Sequence, residues 1–322
     1  MAEFDFINKY FHRGKTPDQV MLDKGDDCAL IAPSIGCALA VTTDTLVCGT
    51  HFLPDIHPHA LAYRALATNI SDLAAMGALP KWFSLAICLP KDLTDTESWL
   101  DKFSQGLFQL ADKHNIYLIG GDTTSGPLSI TITAMGEVEP TKALTRSAAQ
   151  VGDRIFASGN LGGAAGALDF LLAKSTPINS DIETSLLQYF NYPEPQVELG
   201  LLLAGKANAA IDISDGLLAD LSHILKASNV AASVDLDLLP IDDNLIKQFG
   251  LKKAQMLAAT GGDDYQLCFT VPDEQVSLVK KLSSQARIQI KEIGIVKQGR
   301  GLEIFSEGEA VNIDQKGYQH FA

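Results

Sequence analysis

Residues Leu128-Ser129-Ile130-Thr131-Ile132-Thr133-Ala134-Met135-Gly136 alternate apolar and polar side chains, which is the period of a strand with one buried face. Working outward toward the N-terminus, 116–119 is a second strand-like run, and 96–114 and 58–76 carry apolar residues at helical spacing. Apolar runs at 37–41 and 82–89 lie on either side of the 58–76 pattern. Strands and helices that alternate in this way predict an α/β or α+β domain.

Working outward the other way, 141–153 turns polar and small and loses apolar periodicity. Beyond it a new series begins: a strand at 154–158, a glycine loop, helical runs at 164–172 and 197–207, and strands at 232–236, 266–271 and 290–296. The expected division is 1–148 and 149–322. A chain of 322 residues suits two cores of roughly 150 residues each.

A formal charge of -14 disfavours nucleic acid and anionic membrane, so a polyanionic ligand must be met by local cations or bound metal. Residues 1–6 are acidic where an export signal is basic, and no stretch reaches about 18 apolar residues, so a cytoplasmic protein is expected. Five scattered cysteines without a Cys-x-x-Cys pair fit reduced thiols better than disulfides or zinc.

Against this background five segments put aspartate in or beside apolar runs: Asp26-Asp27, Asp44 after Thr42-Thr43, Asp72, Asp122 after Gly120-Gly121, and Asp212 with Asp215. Burying an ionised carboxylate without a partner costs several kcal/mol at least. Each segment alone reads as a turn or helix cap. Together, in a chain with 25 Lys and Arg, they point to divalent cations. Oxygen donors without a Cys-His pairing favour magnesium, which uses a few carboxylates plus substrate phosphates and so implies a nucleotide. The pairs Ser71-Asp72 and Ser214-Asp215 echo each other across the two halves.

Three glycine loops bear on this. The segment 200–207 has P-loop spacing but ends in Ala207 where a hydroxyl is needed, which argues against a phosphate cradle. The segment 159–166 is either a tight strand-helix turn or a ligand-facing loop. Gly120-Gly121-Asp122 offers backbone N–H groups to an anion beside a carboxylate for a cation. Arg146, in the polar connector, is a solvated loop arginine or a phosphate contact.

Taken in order, Gly25-Asp26-Asp27, Thr42 to Val47 with His51-Phe52, 69–77, Gly120-Gly121-Asp122-Thr123, Leu144-Thr145-Arg146-Ser147, 211–217, Gly261-Gly262-Asp263-Asp264-Tyr265 and the closing 317–321 resemble the thiamine-monophosphate kinases. That family lies within the superfamily of aminoimidazole ribonucleotide synthetase. The resemblance implies a two-domain homodimer whose N-terminal domains pair their sheets, with ATP as co-substrate and thiamine monophosphate as acceptor. It implies several magnesium ions on Asp27, Thr42, Thr43, Asp44, Asp72, Asp122, Asp212 and Asp215. It implies ATP contacts from Gly121, Asp122, Arg146 and Ser214, and a thiamine-phosphate pocket lined by His51, Asp263 and Tyr318. Two positions depart from the family pattern: Asp23-Lys24 stands where an apolar Gly-x-Gly run is usual, and Asp263 where Glu is. No general base is expected, because the acceptor phosphate, with a second pKa of about 6, is already anionic at neutral pH. The reading from another class is a non-catalytic nucleotide or divalent-ion sensor.

Overall fold

The structure, a computed structural model, describes residues 7–12, 16–314 and 317–318. Residues 1–6, whose acidity entered the localisation expectation, and Gln319, His320 and Phe321 of the closing motif lie outside them. The chain divides into two compact units, Met1–Leu73 with Ala78–Pro140, and Ala74–Gly77 with Thr141–Ala322.

In the first unit β1 (Val20–Leu22) and β2 (Leu30–Ile31) form a small antiparallel pair. Then come β3 (Ala38–Val47), α1 (Pro58–Ala75), β4 (Leu79–Leu89), α2 (Thr96–His114), β5 (Tyr117–Ser125) and β6 (Ser129–Val138), with a four-stranded sheet in the order β3-β6-β4-β5. Helix α2 starts where Asp95 accepts the Ser98 N–H and stops at Asn115, whose left-handed backbone ends the hydrogen-bond ladder. Its apolar stripe buries Leu100, Phe103, Leu107 and Leu110, each worth roughly 2 kcal/mol of transfer free energy. Helix α1 is apolar on nearly every side, and Leu61, Leu66, Ile70 and Leu73 are fully buried. One face of the sheet is thereby largely buried, with β3 left half-buried on that side. The other shows Leu39, Val41, Thr43 and Thr45 of β3 to solvent.

In the second unit β7 (Arg154–Ser158), α3 (Gly163–Leu171), α4 (Ser180–Asn191), α5 (Val197–Leu203), β8 (Ala209–Asp212), α6 (Leu217–Ser228) and β9 (Ala231–Asp235) follow in turn. They are completed by α7 (Asp243–Phe249), α8 (Leu251–Thr260), β10 (Leu267–Val271), α9 (Asp273–Gln285), β11 (Ile290–Lys297), β12 (Gly301–Ser306) and β13 (Glu309–Val311). The seven-stranded sheet runs β13-β12-β9-β11-β7-β10-β8 and is antiparallel except where β12 meets β9. Its core gathers Ile155, Ile211, Leu217, Leu221, Ile224 and Val234 among others. The P-loop-like spacing falls on α5 and the turn after it, where the Lys206 ammonium donates to Leu202 O at 2.8 Å. That lysine closes its own helix.

A candidate metal and nucleotide site

Strand alternation decides which of the candidate ligands stand together in the first unit. On β3, Thr42 and Asp44 point to the half-buried face and Thr43 to the exposed one. The Thr42 hydroxyl donates to Asp72 Oδ2, bringing strand and helix α1 together through their polar residues. Burial pushes the Asp44 carboxyl up to about 6, with the nearby charge of Asp72 adding to it and a hydrogen bond with Thr68 pulling the other way. Asp44 and Asp72 are therefore two carboxylates held close, with Asp44 paying for its burial.

Thr43 belongs to the opposite face, its hydroxyl 2.9 Å from that of Thr133. Asp122 lies there too. The register aligns Thr45, Thr131, Ala86 and Asp122 in one row across the sheet, after an irregularity between Phe83 and Ser84 shifts β5 against β4. Gly121 next to it packs so closely on β4 that a Cβ would lie 1.8 Å from Leu85 O, so its missing side chain serves the sheet.

Asp27, Gly121 and Asp122 meet in a cavity of about 640 Å³ lined by the Gly25–Ala29 loop, by Gly120 to Thr123 and by the apolar Leu85, Ile87, Leu118 and Ile119. Apolar walls with a few polar groups at one side suit a nucleotide. His51 stands in the turn after β3, where the Val47 N–H donates to its Nδ1 at 3.0 Å. That bond leaves Nε2 as the protonated nitrogen of the neutral ring.

In the second unit β8 ends at the buried Asp212, and the loop that follows is shaped by a carboxylate absent from the expected set. Asp220 Oδ2 accepts the N–H groups of Ser214, Asp215 and Gly216 at 3.0, 3.0 and 3.1 Å. Burial raises its pKa to about 7; the three backbone bonds oppose that rise and the charge of Asp215 adds to it. Gly216 is glycine because its φ of +121° is closed to L side chains and a Cβ would meet Thr260 O at 2.7 Å.

Backbone bonds bring two further predicted residues, Asp263 and Tyr318, to this loop. The Asp263 N–H donates to Ser214 O at 2.8 Å, and the Tyr318 N–H to Asp215 O at 3.0 Å. Asp263 and Tyr265 both have positive φ, and the Tyr265 hydroxyl donates to Asp263 Oδ1 at 3.0 Å. Left-handed backbone at two non-glycine residues is strain of the sort that clusters at ligand sites. Next to them Asp264, buried, accepts the Gly162 N–H on both oxygens, at 3.0 and 2.8 Å, and burial holds its pKa well above the usual range. The 159–166 loop is thus a strand-helix turn whose helix N-terminus already holds a carboxylate of the protein. Arg146 is exposed, its carbonyl accepting from Ser228 Oγ at 2.8 Å.

Asp220 and Asp264 are absent from the set expected from sequence, although both carry the same signal of an aspartate in apolar or glycine-rich company. Asp220 is an aspartate inside Leu217-Leu218-Ala219-Asp220-Leu221, and Asp264 repeats the Gly-Asp-Asp pattern.

Among the described residues no three His, Cys, Asp or Glu form a ready metal cage. Asp44, Asp72 and the Thr42 hydroxyl nevertheless fit magnesium: the donors are hard oxygens, the two carboxylates repel each other, and magnesium fills its remaining positions with water and phosphate.

Comparison with known proteins bears on this site. The chain matches the family model of AIR synthase related protein, N-terminal domain, over residues 25–138 and the corresponding C-terminal domain over 150–307. It is 44% identical to the thiamine-monophosphate kinase of Haemophilus influenzae, over 100% of this chain and 98% of that protein. The crystal structure of thiamine-monophosphate kinase from Stenotrophomonas maltophilia superposes with a TM-score of 0.84 at 45% identity, covering 91% of this chain and 93% of that one. A structure described as AaThiL complexed with AMPPCP and TMP superposes at 0.79 with 31% identity, covering 90% and 89%. With both domains matched in order and the whole length shared at such identity, the chain belongs to the thiamine-monophosphate kinase family.

Proposed function

We propose that the chain transfers the γ-phosphoryl group of ATP directly to the phosphate of thiamine monophosphate, giving thiamine diphosphate. The carrying observation is the Asp44–Asp72 pair, in which burial and the neighbouring Asp72 charge raise the proton affinity of Asp44, in a member of this kinase family. A relative 31% identical is described in complex with AMPPCP and TMP, which supports the pairing of substrates.

Thr42, Asp44 and Asp72 would hold magnesium, with Asp27 and Asp122 in the cavity and Asp212 and Asp215 in the second unit as further ligands. Magnesium held by these residues would supply positive charge against that of the two phosphates. The chain's own residues do the rest. Gly121, Arg146 and Ser214 would position ATP, with Leu85, Ile87, Leu118 and Ile119 giving the cavity an apolar wall. His51 presents Nε2–H as a donor, and Asp263, held by Tyr265, faces the cationic thiamine. No residue needs to take a proton from the acceptor, so catalysis is positioning and electrostatics.

Residues 1–148 would carry the nucleotide and the dimer contact, and 149–322 the second set of ligands. A homodimer is supported by β3, an edge strand of ten residues with Leu39 and Val41 exposed at 40% and 58%. A cytoplasmic setting is supported by five cysteines that are all free.

Incubation with ATP, magnesium and thiamine monophosphate should yield thiamine diphosphate and ADP in equal amounts. Failure to form it across a range of divalent metals would refute the reading. Phosphate covalently bound to the protein in a single turnover would refute direct transfer alone.

A further inference from the structure

The segment that enters the Gly25-Asp26-Asp27 loop is tied to β5 by four polar side chains. The Lys24 ammonium, its side chain 8% exposed, donates to Asp23 Oδ1 at 3.0 Å, to the Tyr117 hydroxyl at 3.2 Å and to Leu118 O at 2.7 Å. It also lies 4.3 Å from the centroid of the Tyr117 ring. Tyr117 donates its own hydroxyl to Asp23 Oδ2 at 2.7 Å, Thr16 Oγ1 donates to the same oxygen at 2.7 Å, and the Lys24 N–H donates to Oδ1 at 2.7 Å.

An ammonium has three protons to donate, and the three acceptors here take all of them. Although Lys24 lines the same cavity as Asp27 and Asp122, it therefore has no donor left for a phosphate. What it does is mechanical. Tyr117 and Leu118 lie three and two residues before Gly120-Gly121-Asp122 opens the far wall, and Lys24 immediately precedes the Gly25 that opens the near one. Gly25 has a φ of +115° and nothing within 4 Å of its absent Cβ, so the loop beyond the tie has no packing of its own at that point.

We infer that Lys24, with Asp23 and Tyr117, is a positioning device that holds the Gly25-Asp26-Asp27 loop against β5 before nucleotide arrives. The inference rests on the cavity being the nucleotide site. A loop already in place binds without the cost of ordering, and loss of the tie transfers that cost to the binding step. The apolar Gly-x-Gly run usual in this position offers no such bonds, so the tie is a feature of this chain's Asp23-Lys24.

Two variants of the full chain test it: Lys24→Met, which keeps the stem and removes the ammonium, and Tyr117→Phe, which keeps the ring and removes one hydroxyl. Amide hydrogen exchange over residues 25–29, measured without substrate, is expected to quicken about tenfold in Lys24→Met and less in Tyr117→Phe. In turnover, KM for ATP should rise by about tenfold in Lys24→Met with kcat within about twofold, the pattern of lost ground-state binding. Unchanged exchange over 25–29 would overturn the inference, as would a fall in kcat at constant KM. If Lys24→Met does not fold, Tyr117→Phe decides by the same two readouts. Wild-type chain that forms no thiamine diphosphate would refute the kinase reading instead, and the exchange comparison would still decide the tie.

Discussion

Asp44 in the first unit and Asp220 in the second are the same side chain put to opposite uses. Both are buried enough to have raised pKa values, about 6 and about 7. Asp220 accepts three consecutive backbone N–H groups, so its burial is answered by protein donors and its effect is to shape a loop. Asp44 has a hydroxyl bond with Thr68 to set against burial and the charge of Asp72. A carboxylate wrapped in N–H groups is a brace. One pressed against another carboxylate invites a cation.

The comparison predicts that the two respond differently to neutralisation. The largest effect is expected for Asp44→Asn, which should lower turnover roughly 10³-fold, as loss of a charge-stabilising group in an active site does. Its melting temperature should stay level or rise, because repulsion with Asp72 is relieved. A variant that melts lower by several degrees would assign Asp44 to the brace class instead.

Asp220→Leu should do the reverse in stability. Stranding three backbone donors costs roughly 3 kcal/mol or more, measurable as a lower midpoint in urea. Asp220→Asn keeps a carbonyl acceptor and should cost about 1 kcal/mol. Equal stability of wild type and Asp220→Leu would contradict the brace.

A smaller effect follows from pH. A carboxyl whose folded pKa lies above its unfolded value makes the folded state the better proton binder between the two, so stability falls as pH rises through that window. For Asp44 the window runs from about 4 to about 6, and for Asp220 from about 4 to about 7. Stability without magnesium should therefore decline from pH 4 to 7, and Asp44→Asn should flatten the lower part of the slope. Denaturant midpoints across that range are the check.

Asp23 works in the other direction and is the smallest contribution. Burial raises its pKa, but hydrogen bonds from Tyr117, the Lys24 N–H, Thr16 and the Lys24 ammonium outweigh it and hold the carboxyl well below the usual range. Its stabilisation is complete above the ordinary carboxylate pKa of about 4 and fades as pH falls below it. Asp23→Asn should lose that acid-side dependence, seen as a shallower drop in melting temperature below pH 4.

Much of this is legible in the sequence, for identifiable reasons. Helix α2 spans Thr96–His114, as its spacing predicts, because a long amphipathic stripe with a cap at each end leaves little choice. The alternation at 128–136 lies on β6, whose period needs only local information. By contrast β8, four residues with two alanines, is a strand because β10 pairs with it, and no local signal announces that. For the candidate ligands, adjacent Thr42 and Thr43 on one strand must point to opposite faces, a consequence of the two-residue period alone. The face of Asp122 has no such local origin, since it depends on the irregularity between Phe83 and Ser84. The brace role of Asp220 is nonlocal in the same way: three N–H groups four to six residues earlier converge on it only once α6 has formed.

In the proposed function Asp44 with Asp72 holds the metal used in phosphoryl transfer. The most direct measurement is thiamine diphosphate formed from ATP and thiamine monophosphate over a magnesium titration, for wild type and Asp44→Asn side by side. The expected result is a product curve that rises with magnesium in wild type and stays roughly 10³-fold lower in the variant, in protein that melts at the same temperature or higher. Matching curves for the two proteins at every magnesium concentration would contradict it.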